Sequence, residues 1–212
     1  SKVVLGVSAF LIFAPAVLFF FLEFQDLPLG ERIWSSLFQS VTTRTAGFNT
    51  ADLAGMTDSG KMGMVLLMLI GGSPGSTAGG MKTTTAAVLF AMAISVFRKN
   101  EQAHLYNRRI AEETQRNAAT IFVLYMMLFI GSAMFISYVE KVPLVTAFFE
   151  TGSAVGTVGL SLGLTPKLCL ASRLILVCLM FFGRVGGLTL IFATISEKRT
   201  EYKYPQEKIT VG

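Results

Sequence analysis

Thr45-Ala46-Gly47-Phe48-Asn49 and Thr157-Val158-Gly159-Leu160-Ser161 are one short segment written twice, 112 positions apart, each a Thr-small-Gly-apolar-polar string closing a short apolar run. A dehydrated potassium ion needs backbone carbonyls in place of its water shell, and glycine permits the backbone angles that turn successive carbonyls inward. The threonine adds a hydroxyl ligand. A single Thr-x-Gly carries almost no information, but two copies in matching surroundings point to an ion pore.

The composition places the strings in a membrane. Hydrophobic residues make up 52% of the 212 and charged residues only 15%, more apolar surface than a soluble core of this length can hide. Val3 to Leu22 and Met62 to Met81 are 20 residues each without a charge, and Ala118 to Val139 is 22. As helices these lengths reach across a ~30 Å hydrocarbon core. Leu174 to Ser196 is a fourth span, interrupted by Arg184. The first run lacks a basic leader and an Ala-x-Ala-like cleavage site, so it reads as a retained helix. Because the sequence starts at Ser1-Lys2 rather than methionine, it is expected to be part of a longer polypeptide.

The net charge of +5 is spread along the chain and gives no nucleic-acid footprint. It marks topology instead. Arg98, Lys99, Arg108, Arg109 and Arg116 lie in segment 98–117, and Lys198, Arg199, Lys203 and Lys208 in tail 197–212; the positive-inside rule puts both in the cytoplasm. Glutamates accompany both segments, leaving open a solvated face or docking of a cytosolic partner. Cys169 and Cys178 fall on opposite faces of one helix and have no histidine or further cysteine nearby, so they predict neither a disulfide nor a metal site. His104 is the sole histidine. With no nucleophile–base pair, paired intramembrane carboxylates or metal-ligand spacing, an enzyme is not expected.

Each half runs in one order: spanning helix, short apolar segment, glycine string, second spanning segment. Glu31 to Thr42 carries Ile33, Trp34, Leu37, Phe38 and Val41 at helical spacing, too short to cross, and Val142 to Thr151 is its counterpart. Irregular backbone at membrane depth must be buried in protein, which predicts re-entrant segments; extracellular loops with an interfacial helix are the other reading. The boundaries that follow are 1–97 and 118–196 for the two repeats, joined by linker 98–117.

Met62 to Phe97 is too long for one crossing and holds Gly71-Gly72-Ser73-Pro74-Gly75-Ser76-Thr77-Ala78-Gly79-Gly80 at its middle. Helix breakers at that density predict an interruption over 71–80. Broken backbone there costs several kcal/mol per unpaired group unless it lines a cavity or meets protein. Alternatively Gly71, Gly75 and Gly79 form a Gly-xxx-Gly packing ladder on an unbroken helix, the basis of a non-conducting scaffold. Gly55 to Lys61 fits a phosphate loop only partly, lacking the following Ser or Thr and a preceding strand. At the 112-residue offset Gly71-Gly72 aligns with Gly183-Arg184, which sets Arg184 opposite the interruption. An arginine this deep costs at least ~2.5–3.5 kcal/mol on insertion scales and faces a cavity or a partner. Pairing with loop carbonyls and a charge barrier to cations are both consistent with it.

At these residues the chain resembles the Trk/Ktr/HKT superfamily of potassium transporters, specifically repeats three and four of its four helix–pore-loop–helix repeats. The matches are Ser40 to Asn49, Gly71 to Lys82, Gly152 to Pro166 and Gly183-Arg184-Val185-Gly186-Gly187-Leu188-Thr189, and the tail Tyr202 to Lys208 resembles the bacterial Ktr branch. The resemblance implies an all-α, potassium-channel-like integral membrane protein of the bacterial plasma membrane, with a broken second helix in its third repeat. It further implies potassium uptake without a cofactor, sodium being a candidate coupling ion. Thr45, Ala46, Gly47 and Phe48 with Thr157, Val158, Gly159 and Leu160 would form two filter quadrants. Gly71, Gly72, Ser73, Pro74, Gly75, Ser76, Thr77, Gly79 and Gly80 would form the gate with Arg184. Implied partners are the upstream repeats of the same subunit, a second copy in a homodimer, and a cytosolic ring of nucleotide-binding RCK-type subunits. Two repeats cannot encircle an ion.

Overall fold

The computed structural model describes residues 2–100, 102–106 and 108–186. Gly187 and the rest of the last motif, the end of the fourth span, and the 197–212 tail lie outside the described residues. Among the described residues two helices are long and apolar enough to cross a membrane, α1 (Lys2–Leu22) and α5 (Glu112–Glu140). Their large apolar side chains point outward, Phe10, Phe13 and Phe21 on α1 and Met127, Met134 and Tyr138 on α5, whereas the buried set includes Ser36, Gln39, Ser40, Thr42, Thr43, Thr83 and Glu150. Large apolar side chains exposed along both long helices, with polar groups buried beside a mainly apolar core, depart from the soluble pattern. This is what a hydrocarbon solvent selects, because polar groups must find partners inside the protein.

The remaining elements are α2 (Leu29–Thr42), α3 (Asp58–Leu69), α4 (Thr83–Phe97), the paired strands β1 (His104–Leu105) and β2 (Arg108–Arg109), α6 (Leu144–Gly156), a single 3-10 turn (Thr165–Lys167) and α7 (Leu170–Val185). The short helix α6 packs against α3, α5 and α7, and every residue from Phe149 to Gly156 is buried. Small residues make that fit possible, since a Cβ on Gly156 would lie 2.4 Å from the Met68 carbonyl oxygen. In the other half α2 packs along α1.

The two halves share details beyond element order. Thr57 and Cys169, again 112 positions apart, are the N-caps of α3 and α7. Each backbone N–H is held by a glutamate from the end of the preceding long helix: Glu23 Oε2 accepts from Thr57 N at 3.0 Å and Glu140 Oε1 from Cys169 N at 2.9 Å. A carboxylate at a helix amino terminus satisfies an orphan donor and complements the dipole.

Pro15 stands inside α1 and cannot donate to the Leu11 carbonyl. Ser40 Oγ of α2 lies 3.2 Å from that oxygen and donates to the Ile12 carbonyl at 2.7 Å, so the second helix repairs the gap in the first. Ser40→Ala should therefore cost about 1–2 kcal/mol, read as a lower unfolding temperature of the complete subunit in detergent; an unchanged temperature would remove this account of the gap at Pro15.

The structure departs from sequence expectation in four places. Met62 to Met81 is not one span, because α3 stops at Leu69 and helix resumes only at Thr83. Gly71, Gly75 and Gly79 consequently lie off any helix and form no Gly-xxx-Gly face. The short helix expected to end at Thr151 continues to Gly156, since close packing of its small residues outweighs their weak helix propensity. Segment 98–117 is more than a linker, since it contains the two-residue strands β1 and β2 and the first turn of α5 within an otherwise helical chain.

Candidate functional site

Both strings leave their short helices through the same backbone geometry. Thr45 has φ +69° and Gly47 +75°, and Thr157 has +52° and Gly159 +94°. A β-branched residue at positive φ is a genuine outlier, costing of order 1–3 kcal/mol. Among the described residues the non-glycine positive-φ positions are Thr45, Lys99, Tyr106, Lys141 and Thr157. The β-branched members of that set are the two string threonines.

The strain turns N–H groups back onto the helix ends and leaves carbonyls free. Ala46 N and Gly47 N donate to the Thr42 carbonyl at 3.2 and 3.1 Å. In the second string Thr157 N donates to Ala154 O at 3.0 Å and Val158 N to Ser153 O at 2.9 Å, while Gly159 N donates to Ser153 Oγ at 3.2 Å. No described residue donates a hydrogen bond to the carbonyls of Thr45, Ala46, Gly47, Thr157, Val158 or Gly159. Carbonyl acceptors left without donors suit a dehydrated cation. The strings also touch, because a Cβ on Gly47 would sit 2.0 Å from the Val158 carbonyl oxygen. Phe48 is exposed and its counterpart Leu160 buried, so the strings are not interchangeable in their surroundings.

Between α3 and α4 the chain forms a loop closed at its neck. Gly71 N donates to Met81 O at 2.8 Å, Met81 N to Leu69 O at 3.1 Å and Thr83 N to Gly72 O at 3.1 Å, with Ile70 and Met81 bridged in parallel. The approach of the two arms demands glycine: a Cβ on Gly71 would lie 1.8 Å from the Gly79 carbonyl oxygen. Beyond the neck Ser76 Oγ and N both donate to Ser73 O, while Pro74 to Thr77 are exposed. Lys82 Nζ donates to Ala78 O at 2.5 Å.

This loop seats under the second string. A Cβ on Gly79 would be 2.1 Å from Thr157 Oγ1, and that hydroxyl oxygen is buried with no hydrogen-bond partner among the described residues. Gly80 N donates to Gly183 O at 3.2 Å, so α7 meets the loop one residue before Arg184. The Arg184 side chain is exposed and lines a groove of about 620 Å³ shared with Glu150, Ser153, Thr157, Gly159 and Arg173. The loop carbonyls of Ala78 and Ser76 are taken by Lys82 rather than by Arg184.

Two charged residues beside the strings escape a pattern-based reading. Arg44 directly precedes Thr45, is half-buried, and reaches the Gly71 carbonyl at 3.4 Å. Glu150 is 3% exposed inside α6. Glu150 is an ionisable residue at the end of an apolar run, which is itself the available signal, whereas Arg44 stands among Thr42, Thr43 and Thr45 and carries no such mark.

A family model described as TrkH, cation transport protein, matches residues 3–202. Among curated relatives, potassium/sodium uptake protein NtpJ of Enterococcus hirae is 38% identical over 100% of this chain and 50% of its own length. The Ktr system potassium uptake protein B of Bacillus subtilis is 34% identical over 91% of this chain and 45% of its own; that of Vibrio alginolyticus is 32% identical over 100% and 48%. The crystal structure of the potassium transporter TrkH from Vibrio parahaemolyticus superposes with a TM-score of 0.75 at 20% identity, covering 90% of this chain and 43% of that one. The last likeness is one of fold. The chain spans about half the length of the curated relatives it matches.

Proposed function

The chain belongs to the TrkH cation transport protein family, and on that premise we propose that it supplies two of the four walls of a potassium-conducting pore in a bacterial plasma membrane. The observation that carries this reading is the pair of strained threonines, each followed two residues on by a positive-φ glycine, with carbonyls that no described residue claims. Thr45 to Phe48 and Thr157 to Leu160 are the filter segments. Residues 1–97 and 118–196 are then two helix–pore-loop–helix repeats, and 98–117 and 197–212 face the cytoplasm. The glycine loop 71–80 is the gate, seated against Thr157, and Arg184 stands beside it in the same groove as the second string. Completion of the ring falls to upstream repeats of the same subunit. A homodimer regulated by a cytosolic RCK-type ring, with sodium a candidate coupling ion, is the assembly that the resemblance to the Ktr branch suggests.

The reading is tested by Gly159→Asp in the complete subunit. Potassium-dependent growth of an uptake-deficient strain should be lost while membrane expression is retained, because a carboxylate would enter a wall built of carbonyls and glycine alone supplies φ +94° there without strain. Wild-type growth would sink the pore assignment.

A further inference from the structure

Glu150 is a carboxylate buried in α6 behind the second string, and it meets three donors from the chain that follows Gly159. Oε1 accepts from Ser161 Oγ at 2.7 Å and from Leu162 N at 2.9 Å, and Oε2 accepts from Thr165 Oγ1 at 2.6 Å. One helical turn on, Ser153 Oγ accepts from Gly159 N at 3.2 Å. Residues three apart on a helix share a face, so one face of α6 grips the segment on both sides of the Gly159 and Leu160 carbonyls. At the 112-residue offset the first half has Phe38 in place of Glu150. There the segment is closed differently, by Thr42 Oγ1 donating to Phe48 O and by Asn49 Oδ1 accepting from Ala51 N at 3.2 Å.

A buried carboxylate with well-placed donors is a rigid anchor, since bonds to a charged acceptor are shorter and about twice as strong as neutral ones. It meets the chain just after a residue that side-chain packing does not hold. Gly159 has no side chain, its φ is positive, and a Cβ there would find nothing within 4 Å, so side-chain packing does not hold it. A carbonyl ligand that drifts by a fraction of an ångström changes how well it replaces the hydration shell of one ion against another. We propose that Glu150 is a positioning residue for ion discrimination: by holding Ser161, Leu162 and Thr165 it sets where the Gly159 and Leu160 carbonyls stand, and with them the preference of the pore for potassium over sodium. This rests on the pore reading of the two strings. The first string, closed through neutral groups, contributes less to that discrimination than the second.

The test measures potassium and sodium uptake by the complete subunit with its regulator in liposomes. Glu150→Ala removes the anchor and should lower the potassium-to-sodium uptake ratio by about tenfold or more, the size expected for losing charge-assisted bonds. Glu150→Gln keeps every contact, its carbonyl taking Ser161 and Leu162 while its amide donates to Thr165 Oγ1, and should stay within about threefold of the wild type. An unchanged ratio in Glu150→Ala overturns the proposal, and so does a Glu150→Gln protein as unselective as Glu150→Ala, which would make charge rather than position the cause. If Glu150→Ala does not accumulate, Ser161→Ala with Thr165→Val removes two donors and leaves the carboxylate. A severalfold lower ratio in that protein supports the anchor, and a wild-type ratio overturns it. Gly159→Asp in the same liposomes separates this proposal from its premise: if that protein transports normally the pore reading itself fails, whereas its loss of transport beside a fully selective Glu150→Ala overturns only the anchor.

Discussion

Gly47→Ala in the complete subunit is expected to cut potassium uptake at least about a hundredfold while the protein still reaches the membrane, a loss equivalent to roughly 3 kcal/mol. Two separate effects add. The backbone at Gly47 has φ +75°, where any side chain costs roughly 1–2 kcal/mol. The new Cβ would also be 2.0 Å from the Val158 carbonyl oxygen, whereas ordinary contact begins at 3.4 Å. Val158 O must then retreat by more than an ångström, and it is one of the unclaimed carbonyls of the second string. A single methyl in the first string thereby displaces a proposed ligand in the other. Gly159→Ala makes the contrast, because its Cβ meets nothing within 4 Å and only conformational strain remains. Uptake kinetics in an uptake-deficient strain should place Gly159→Ala between the wild type and Gly47→Ala, and equal uptake by all three proteins would mean that the contact between the strings does not shape an ion path.

Much of this arrangement was legible in the sequence because the chemistry is local. Glycine after threonine at a fixed offset announces the backbone conformation that both strings adopt, and five glycines with a proline between Gly71 and Gly80 cannot continue a helix. What escaped depends on partners distant in the chain. The closed neck of the loop is made by Gly71, Met81 and Leu69 backbone bonds, and backbone pairing leaves no mark on side-chain identity. The extension of α6 through Gly152 to Gly156 comes from burial between α3, α5 and α7, an environment that propensity does not register. Glu150 lies inside a segment whose shortness and apolarity mark a buried helix, and neither property assigns its carboxylate a partner. Its donors lie 11 to 15 positions downstream, and a spacing of that kind belongs to no helix or turn template.

Arg184→Ala is expected to raise potassium flux through liposomes containing the complete subunit and to make it less dependent on the regulator. Arg184 lies on the wall of the groove that also exposes Thr157 and Gly159, and its neighbour Gly183 is bonded to Gly80 of the loop. A monovalent cation passing within ~8 Å of a guanidinium, in surroundings of effective dielectric constant about 20, is repelled by about 2 kcal/mol. That corresponds to about a thirtyfold lower occupancy at the crossing point. Lys82 lies within Coulombic reach of Arg184 and reinforces the barrier, but its ammonium is engaged with the loop carbonyls of Ala78 and Ser76. Arg184 makes no hydrogen bond to a described residue, so its removal leaves no buried partner orphaned, and the effect should fall on flux rather than on folding. Arg184→Lys keeps the charge and should remain close to wild type. If Arg184→Ala leaves flux unchanged, the arginine is no barrier; if flux falls with it, the arginine holds the path open instead. A rise confined to the charge-removing variant would tie gating to the two features that break the symmetry of the halves, the glycine loop after the first string and the cation after the second.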